Sequence, residues 1–332
     1  MSNFASRSSD ISNSSFLITG GAGFIGSNIV RYLINNNAGM VRVLDNFSTG
    51  YIQNINDFIK LPNFELITGD IRNLNICKKA IANIDYVSHN AALGSVPRSF
   101  KNPIKTTSVN VNGFLNILLT ANDARVKKLV YASSSSVYGN CKSRNNFENV
   151  IDKQISPYAL TKYIDELYAE LVADISEFAA IGLRYFNVFG PYQNNRGIYV
   201  TVIPQFINAA LANKRPIVYG NGGISRDFTY IENVVQANIK GLLSGENVKH
   251  EVLNIACGES TTLNELWQIV KNINNAGTSP IYKAARKGDI EHNHASIEKA
   301  SILIGYKPDI FIKEGLVITN DWFRLNRNWG KK

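Results

Sequence analysis

The chain has 332 residues, of which 45% are hydrophobic and 18% are charged, and its formal net charge is +9. This length and apolar fraction exclude an intrinsically disordered chain and allow one large α/β domain or two unequal ones. The basic charge fits an anionic ligand or a solvated surface. The sequence has no run of five like charges and no RRM, KH or zinc-finger spacing, so it predicts no nucleic-acid partner.

The cysteines and the N-terminal composition bear on the compartment. Cys77, Cys141 and Cys257 are far apart and have no metal-ligand or CxxC spacing, which favours a reducing cytoplasm. No apolar run reaches the roughly 18 residues that span a bilayer, and residues 1–14 are rich in Ser and Asn. We therefore expect a cytoplasmic protein with no membrane segment and no metal site, and a disordered polar tail over residues 1–14.

Apolar runs and helical periodicities alternate along the first 190 residues. A strand at Phe16–Thr19 precedes a glycine-rich turn and a helix at Phe24–Ile34. The other predicted strands are Val41–Leu44, Phe64–Ile67, Tyr86–Val87, Lys128–Ala132 and Ala180–Tyr185. The other predicted helices are Leu74–Ile81, Pro103–Ala124 and Pro157–Asp174. This alternation predicts an α/β fold with a parallel, doubly wound sheet of the Rossmann type, and ligands at the carboxyl ends of its strands.

The composition changes after residue 190. Loops rich in Gly, Asn and Pro, at Gly190–Gly197 and Gly220–Gly223, separate shorter elements. They predict a smaller C-terminal α/β lobe. We expect residues 15–190 to form a dinucleotide-binding domain and residues 191–328 to form most of a substrate lobe that interleaves with it.

The segment TGGAGFIG lies between the first predicted strand and the first predicted helix. Gly20 and its neighbour permit a tight turn, Gly23 permits close approach of a pyrophosphate, and Gly26 permits close packing of helix and strand. The helix N-terminus supplies free N–H donors for the phosphates. This arrangement predicts a dinucleotide site.

Two aspartates follow the next predicted strands. Asp45 stands where a carboxylate is expected to meet the adenosine ribose hydroxyls. No arginine directly follows it, and a carboxylate repels a 2′-phosphate, so the sequence favours NAD over NADP. Asp70 either contacts adenine or caps a helix that starts at Ile71-Arg72.

Tyr158 and Lys162 stand four residues apart in a predicted helix, so they share one face. The Lys162 ammonium, together with a positively charged nicotinamide, favours the ionised phenol of Tyr158. The serines at Ser133–Ser136 end a predicted strand. We interpret Tyr158 as a general acid/base and a neighbouring serine hydroxyl as its relay.

Several segments carry a family resemblance: TGGAGFIG, VLDNFSTG, NAALGSVPRS, YASSSSVYG, SPYALTKYIDELYAE, GLRYFNVFGP and SRDFTYIEN. In number and order they resemble the extended short-chain dehydrogenase/reductases, from Ser15 to about Asn326. ALGSVPRS followed by RYFNVFG is similar to the UDP-N-acetylglucosamine 4-epimerases of bacterial O-antigen synthesis. The resemblance implies bound NAD, a UDP-sugar substrate and a homodimer.

The resemblance also implies roles at matching positions of this chain. Tyr158 would be the acid/base, Lys162 its electrostatic partner, and Ser134 and Ser136 the hydroxyls at the sugar O4. The implied cofactor residues are Gly20, Gly23, Phe24, Ile25, Gly26, Asp45, Asn46, Phe47, Ser48, Thr49, Gly50, Asp70, Ile71, Ala91, Ala92, Asn110, Tyr158, Lys162 and Tyr185. The implied substrate residues are Gly94, Ser95, Arg98, Ser134, Ser135, Ser136, Asn187, Tyr199, Thr201, Tyr219, Arg226, Arg286 and Asn293.

Three of these positions carry alternatives. Arg226 suits a diphosphate, because a guanidinium pairs two oxygens at once, but it also suits an ion pair with Asp227. Asn293 stands, by count, where the family places a small residue near the N-acetyl pocket, which leaves an acetamido preference open. His292 and His294 are more typical of ordinary polar residues than of a metal site.

The serine-rich loop bears on the reaction. Related dehydratases place an Asp-Glu pair after the hydroxyl residue, and uronic acid decarboxylases place a glutamate there, whereas this chain has serines at Ser133–Ser136. The loop therefore favours reversible inversion at C4. One open alternative is a 4-epimerase for UDP-glucuronate or UDP-N-acetylglucosaminuronate, with Arg98 or Ser95 at the carboxylate. The other is a non-catalytic nucleotide-sensing or RNA-binding relative, which the Tyr158/Lys162 pair disfavours.

Two long predicted helices suit a dimer interface. Pro103–Ala124 and Pro157–Asp174 can pair with their copies into four helices. The candidate contacts are Leu118, Leu119, Leu167 and Leu171. In the alternative arrangement these leucines face their own sheet.

Overall fold

A computed structural model describes residues 8–139, 146–176, 178–194, 200–245, 248–285, 292–327 and 329. Its strands are β1 Ser15–Thr19, β2 Met40–Asp45, β3 Phe64–Thr68, β4 Tyr86–His89, β5 Lys128–Ser134, β6 Ala180–Tyr185, β7 Ile217–Tyr219, β8 Ser225–Arg226, β9 His250–Ile255, β10 Thr261–Thr262, β11 Ile281–Lys283 and β12 His292–Asn293. Its helices are α1 Ser8–Ser12, α2 Phe24–Asn35, α3 Leu74–Ile81, α4 Val96–Lys101, α5 Pro103–Thr107, α6 Gly113–Asp123, α7 Pro157–Ser176, α8 Val202–Leu211, α9 Ile231–Leu242, α10 Leu263–Ile273, α11 Glu298–Ile304 and α12 Ile312–Leu325.

The large sheet has the strand order β3-β2-β1-β4-β5-β6-β9, and all neighbouring pairs are parallel. The order reverses between β1 and β4, where Phe16 pairs with Val41 on one side and Tyr86 on the other. In doubly wound sheets this switch point opens a crevice at the carboxyl ends of the strands. The predicted Rossmann-type fold is confirmed.

Alternating side chains of β1 enter two different cores. Phe16 and Ile18 pack on the side that carries α2 and α9, whereas Leu17 packs on the side that carries α3, α6 and α7. A parallel sheet covered by helices on both faces requires apolar residues at successive positions, which is the pattern of these strands. In the part of the chain that the structure describes, no helix is long and apolar enough to cross a membrane.

The C-terminal part of the chain returns to the large sheet. Strand β9, which the sequence patterns did not predict, pairs with β6 from Ala180 opposite His250 to Tyr185 opposite Ile255. The remaining strands form two small sheets, β10-β8-β12 and β11-β7. The smaller lobe is therefore interleaved with the large sheet.

The first described residues differ from the predicted disordered tail. Residues 8–12 form α1, and Ile11 is fully buried in the core beside the sheet. The Ile11 carbonyl accepts hydrogen bonds from the backbone N–H groups of Ser14 and Gly39, at 3.3 and 3.2 Å. Burial of one large apolar side chain stabilises by about 1.5–3 kcal/mol, which helps to offset the entropy of ordering this segment.

The helix predicted over Pro103–Ala124 is divided into α5, a π-helical turn at Ser108–Asn112, and α6. Asn110 lies in that turn and is buried. Its Oδ1 accepts a hydrogen bond from the Leu93 backbone N–H at 2.8 Å, and its Nδ2 donates to Thr161 Oγ1 at 3.0 Å. Local π-helical turns are frequent at functional sites. Here the turn coincides with a residue that joins the segment after β4 to α7.

Four leucines of α6 and α7 divide into two groups. Leu118 is fully buried against its own sheet, so its predicted role as a dimer contact is wrong. Leu119, Leu167 and Leu171 are 46%, 46% and 52% exposed in the monomer. The helical periodicity turns the first leucine toward the core and leaves the others on the outer face.

Candidate active site

The glycine-rich turn lies directly against the residues that follow β4. Gly20 has a φ of +67°, and a Cβ atom there would lie 2.7 Å from the Ala91 backbone nitrogen. A Cβ atom at Gly26 would overlap the Gly20 carbonyl oxygen. Gly23 directly precedes α2, whose first two residues are Phe24 and Ile25. The turn therefore places a helix N-terminus at the switch point of the sheet, where a phosphate is favoured.

Asp45 ties the end of β2 to this turn. Its Oδ2 accepts a hydrogen bond from the Ala22 backbone N–H at 2.9 Å, and its Oδ1 accepts one from the Phe47 backbone N–H at 2.8 Å. The side chain is buried, and burial raises the pKa of its carboxyl group. The carboxylate stands at the predicted place, but both of its oxygens already bind backbone groups.

A cleft at the carboxyl ends of β1, β2, β3 and β4 brings together nine of the predicted cofactor residues. The predicted residues that line it are Gly20, Gly23, Asp45, Asn46, Ser48, Thr49, Ile71, Ala91 and Ala92. It is also lined by Leu44, Gly69, Asn90, Leu93 and Val109, which sequence reasoning missed. Gly69 and Asn90 directly follow β3 and β4, so the rule that ligands bind at strand ends could have identified them. Small residues beside a helix N-terminus fit a dinucleotide.

Asp70 pairs with a neighbouring arginine and does not cap a helix. Its carboxylate pairs with the Arg72 guanidinium at 2.7 Å and accepts a hydrogen bond from Asn46 Nδ2 at 3.0 Å. The Arg72 hydrogen bonds lower the pKa of Asp70 to about 2. Helix α3 begins at Leu74 and is capped by the Asn73 side chain, so the predicted cap by Asp70 is wrong.

Tyr185, which is also predicted to contact the cofactor, has a side chain that points into the core. Its ring is buried in the core, and its hydroxyl accepts a hydrogen bond from Asn238 Nδ2 at 2.9 Å. Burial raises the pKa of this phenol. At the end of β6 the Tyr185 side chain points into the core and lines none of the clefts described here.

Two further predicted cofactor residues, Phe47 and Gly50, lie in the loop after β2.

Helix α7 carries the predicted acid/base pair near its N-terminus. The helix begins at Pro157, and the Ser156 hydroxyl caps it by accepting a hydrogen bond from the Ala159 backbone N–H at 3.1 Å. Tyr158 is half-buried, whereas Lys162 is almost fully buried. The Lys162 Nζ lies 3.2 Å from the Asp165 Oδ2, a partner that the sequence analysis did not name.

The serines at the end of β5 divide between the site and the core. Ser134 Oγ and Ser136 Oγ lie 2.7 Å apart, and Ser135 starts the 3-10 turn Ser135–Tyr138 that packs against α7. Ser133 points the other way and donates to Glu166 Oε1 at 2.5 Å. The alternation at the end of β5 therefore directs Ser134 and Ser133 to opposite sides, and the turn that follows brings Ser136 next to Ser134.

Residues of the two predicted ligand groups meet in a cleft of about 230 Å³. Gly23, Phe24 and Thr49 line it from the cofactor group. Gly94, Arg98 and Thr201 line it from the substrate group. Ser95 borders it as the cap of α4, since its hydroxyl accepts a hydrogen bond from the Arg98 backbone N–H at 3.3 Å.

A further cleft of about 350 Å³ lies in the smaller lobe. It contains the predicted substrate residues Asn187, Thr201, Tyr219 and Arg226. Its walls are mostly apolar side chains that sequence reasoning missed: Val200, Val202, Ile203, Ile217, Val218, Ile224, Phe228 and Leu263. They come from the start of α8, the three-residue strand β7, the start of α10 and adjoining loops, and no single element or motif brings them together. An apolar slot with polar groups at its rim suits a planar base attached to phosphates.

Arg226 and Asp227 have separate partners in the described contacts. Arg226 Nη1 donates to the Ser225 carbonyl oxygen at 2.8 Å. The buried Asp227 carboxylate accepts hydrogen bonds from the backbone N–H groups of Cys257 and Gly258, at 2.8 and 3.0 Å. Burial raises the pKa of Asp227 to about 6. Asp227 thus fixes the strand that carries Arg226.

The remaining substrate predictions are only partly placed. Tyr199 and Arg286 lie outside the described residues. The backbone of Asn293 pairs with Arg226 between β12 and β8. Nearby, His294 Nε2 lies 2.8 Å from the Gly258 carbonyl oxygen. The β12 segment therefore adjoins the arginine at the rim of the larger cleft.

Comparison with known proteins agrees with this geometry. The family model "NAD dependent epimerase/dehydratase family" matches residues 16–256. The UDP-N-acetylglucosamine 4-epimerase of Methanobrevibacter ruminantium, in complex with UDP-N-acetylmuramic acid, is 36% identical with a TM-score of 0.89, covering 94% of this chain and 98% of that one. The Thermotoga maritima UDP-glucose 4-epimerase with UDP-glucose is 33% identical with a TM-score of 0.88, covering 94% and 99%.

A third solved structure carries both kinds of ligand. The UDP-glucuronic acid 4-epimerase of Bacillus cereus, in complex with UDP-glucuronic acid and NAD, is 27% identical with a TM-score of 0.87, and the match covers 94% of this chain and 99% of that one. The family match, the sheet order and the glycine-rich cleft at the switch point agree with one another. The chain therefore belongs to the NAD-dependent epimerase/dehydratase family and is an enzyme that uses NAD.

Proposed function

We propose that this enzyme inverts C4 of UDP-N-acetylglucosamine to give UDP-N-acetylgalactosamine. The broader class, a UDP-sugar 4-epimerase and thus an isomerase, has the stronger support, because the compared structures are 4-epimerases of three different UDP-sugars. The single observation that carries the proposal is the cleft where Gly23, Phe24 and Thr49 meet Gly94, Arg98 and Thr201. There a sugar would contact the cofactor directly.

The chain's own residues then perform the proton transfers. Tyr158 takes the proton of the C4 hydroxyl and returns it after the 4-keto sugar has turned. Lys162 stabilises the phenolate, and the hydroxyl pair of Ser134 and Ser136 holds O4. When bound, NAD accepts a hydride from C4 and returns it to the opposite face. Epimerisation needs no further acid or base.

The cofactor cleft supports NAD rather than NADP. The buried Asp45 carboxylate lies at the end of β2, where a 2′-phosphate would meet a negative charge. The nearest arginine in sequence after it, Arg72, is held by Asp70. The Arg72 guanidinium is therefore already paired and does not provide a site for a 2′-phosphate at this end of the cleft.

The apolar cleft in the smaller lobe is the proposed place of the uracil base. Val218, Phe228 and Leu263 supply flat apolar contacts, and Arg226 stands at the rim for the diphosphate. Arg286 and the Tyr199–Thr201 segment are proposed to complete the phosphate contacts. The 15–190 part would then bind the cofactor and contribute Arg98, Ser134 and Ser136 to the sugar site, and the 191–328 part would bind most of the rest of the nucleotide sugar.

A second substrate class is favoured by one residue. Arg98 lines the cleft where the sugar would lie, and it also lines the neighbouring cleft with Lys101 and Lys105. This basic side of the site could receive the C5 carboxylate of a uronic acid, as in UDP-glucuronate. The neutral N-acetylated sugar remains the proposal because of the resemblance in the ALGSVPRS segment.

We also propose a cytoplasmic homodimer. The exposed leucines of α6 and α7, Leu119, Leu167 and Leu171, lie with Ile104 and Ile175 among the exposed apolar residues of the paired helices. Exposed large apolar side chains on neighbouring helices often mark a protein–protein interface. A two-fold pairing of α6 and α7 would cover it.

The experiment that tests the activity is incubation of the purified enzyme with separate UDP-sugars, read by NMR for inversion at C4. UDP-N-acetylglucosamine, UDP-glucose and UDP-glucuronate form the panel. Turnover of the first fastest is the expected result. Turnover of the uronate alone would overturn the substrate assignment, and the absence of inversion in the whole panel would overturn the reaction.

A further inference from the structure

A buried carboxylate continues the line of Tyr158 and Lys162 along α7. Asp165 is seven residues after Tyr158 and three after Lys162, so the three side chains share one helical face. The side chains of Lys162 and Asp165 are 2% and 0% exposed, and their charged atoms are 3.2 Å apart. The arrangement places a phenol, an ammonium and a carboxylate in sequence along the helix.

Asp165 differs from the neighbouring carboxylate, Glu166, in how its oxygens are hydrogen-bonded. Glu166 is fully engaged, because its two oxygens bind the Arg184 guanidinium at 2.9 and 2.7 Å and Ser133 binds one of them as well. Asp165 Oδ1 is buried and has no hydrogen-bond partner among the described residues. A half-satisfied buried carboxylate is costly to the fold, so its presence beside Lys162 calls for a role.

The other groups around Lys162 do not balance its charge. His89, facing from β4, is kept neutral, because burial and the charge of Lys162 lower its pKa to about 3. Tyr131 of β5, which lies near Asp165, is also neutral, because burial raises the pKa of its phenol well above the usual value. The charges of Glu166 and Arg184 are paired with each other. Asp165 is therefore the immediate counter-charge of Lys162.

We infer that Asp165 is a positioning residue, which holds the Lys162 ammonium beneath Tyr158 and offsets part of its charge, and so sets the pH at which the Tyr158 phenol ionises. The inference rests on the proposed function, in which that phenol is the acid/base. The electrostatic argument is direct: a carboxylate next to the ammonium weakens the field that the phenol experiences. Burial raises the pKa of Asp165 to about 7, although the ammonium opposes this rise, so the counter-charge is complete only at alkaline pH.

The test is Asp165→Asn, which keeps the volume and an oxygen acceptor but removes the charge. The ionisation of the Tyr158 phenol is followed by ultraviolet difference titration, with Tyr158→Phe in the same background as the reference. The expected shift of the midpoint is on the order of one unit to lower pH. The acidic limb of the pH–rate profile for epimerisation should move in the same direction.

Glu166→Gln is the matched control, since it removes an adjacent buried carboxylate that pairs with Arg184 and not with Lys162. It should lower the unfolding temperature without moving the phenol midpoint. A purely structural role for Asp165 would give this same result. An equal midpoint shift in Glu166→Gln would therefore overturn the inference.

A second pair of variants keeps the test open if Asp165→Asn does not fold. Asp165→Ser removes the charge with a smaller polar side chain, and Asp165→Glu keeps the charge. Asp165→Ser should again move the phenol midpoint to lower pH, whereas Asp165→Glu should leave it near that of the wild type. An unchanged midpoint in whichever charge-removing variant folds rejects the role. Because the titration needs no substrate, an inactive wild type would overturn the proposed function and leave this test standing.

Discussion

The indole N–H of Trp329 donates a hydrogen bond to Oδ1 of Asn54 at 3.2 Å, between positions 275 residues apart. Asn54 in turn donates through Nδ2 to the Ala22 carbonyl oxygen at 2.8 Å, inside the glycine-rich turn. The Trp329 ring also packs near Tyr51 and Trp322, with ring centroids 5.1 and 5.2 Å apart. The C-terminal segment thus contacts Asn54, the residue that hydrogen-bonds to the glycine-rich turn.

Trp329→Ala should weaken NAD binding, because it releases Asn54 and removes aromatic contacts worth about 0.5–1.5 kcal/mol each. We expect a loss of severalfold to tenfold in affinity, measured by isothermal titration of protein from which NAD has been removed. Leu325→Ala is the control, because Leu325 ends α12, shortly before Trp329 in the chain, and is exposed. Equal affinities in the two variants would exclude coupling through Asn54.

Tyr158→Phe should abolish epimerisation while NAD and UDP-sugar binding stay close to wild type, because the change removes one oxygen and little volume. General acid–base groups contribute about 10²–10⁴-fold in rate. Ser134→Ala should cost less, since the Ser136 hydroxyl is 2.7 Å away and can partly replace it. Near-wild-type turnover in Tyr158→Phe would contradict the proposed mechanism.

Asp45→Ala should weaken NAD binding and destabilise the glycine-rich turn, because it removes two acceptors for buried backbone N–H groups. Asp57→Ala is the control, since Asp57 is exposed on the turn Asn56–Phe58 and lines neither of the two clefts beside the glycine-rich turn. The wild type should prefer NAD to NADP by at least about tenfold, or 1.4 kcal/mol. A clear preference for NADP in a binding titration would contradict the assignment of Asp45.

Leu171→Glu should convert the dimer to a monomer, because a charge would be buried at the centre of an apolar interface. Sedimentation velocity at micromolar concentration measures the change. Leu325→Glu places the same charge on another exposed leucine, which lies on α12, and should leave the dimer intact. A wild-type protein that sediments only as a monomer would remove the proposed interface.

Asp227 should make stability depend on pH between about 4 and 6. Its pKa is raised by burial to about 6 from an ordinary value of 3.8, so the folded state binds its proton more tightly than the unfolded state. Its stabilising contribution is therefore complete below pH 3.8 and is lost as the pH rises through about 6. The unfolding free energy of the wild type, measured relative to Asp227→Asn in urea, should decrease across this window. A constant difference would show that Asp227 does not titrate there.

The large sheet was predictable because its signals are local. Apolar runs such as Phe16–Thr19 and the glycines that follow them occur within single elements. Strand β9 was missed because HEVLNI combines His, Glu and Asn with only three large apolar residues, and its burial comes from a partner strand far away in the sequence. Hydrophobic pattern alone does not reveal such a pairing.

The site was predictable where a motif has fixed spacing, and not where tertiary packing selects the partners. Tyr158 and Lys162 follow from a helical interval, and Gly20 from a turn. The pairing of Lys162 with Asp165 depends on burial, and the bond from Asn110 to Leu93 depends on a π-helical turn. The hydroxyl of Tyr185 points into the core, where Asn238 Nδ2 donates a hydrogen bond to it.

Strand β6 has a further consequence for handling the protein, because β9 covers one of its edges. All six residues of β6 are buried, and β9 lies well beyond residue 190 in the chain. A fragment that stops at residue 190 would expose a row of unpaired N–H and C=O groups along an apolar strand, a template for intermolecular β-pairing. The cofactor-binding half, expressed by itself, would therefore be recovered mainly in aggregates.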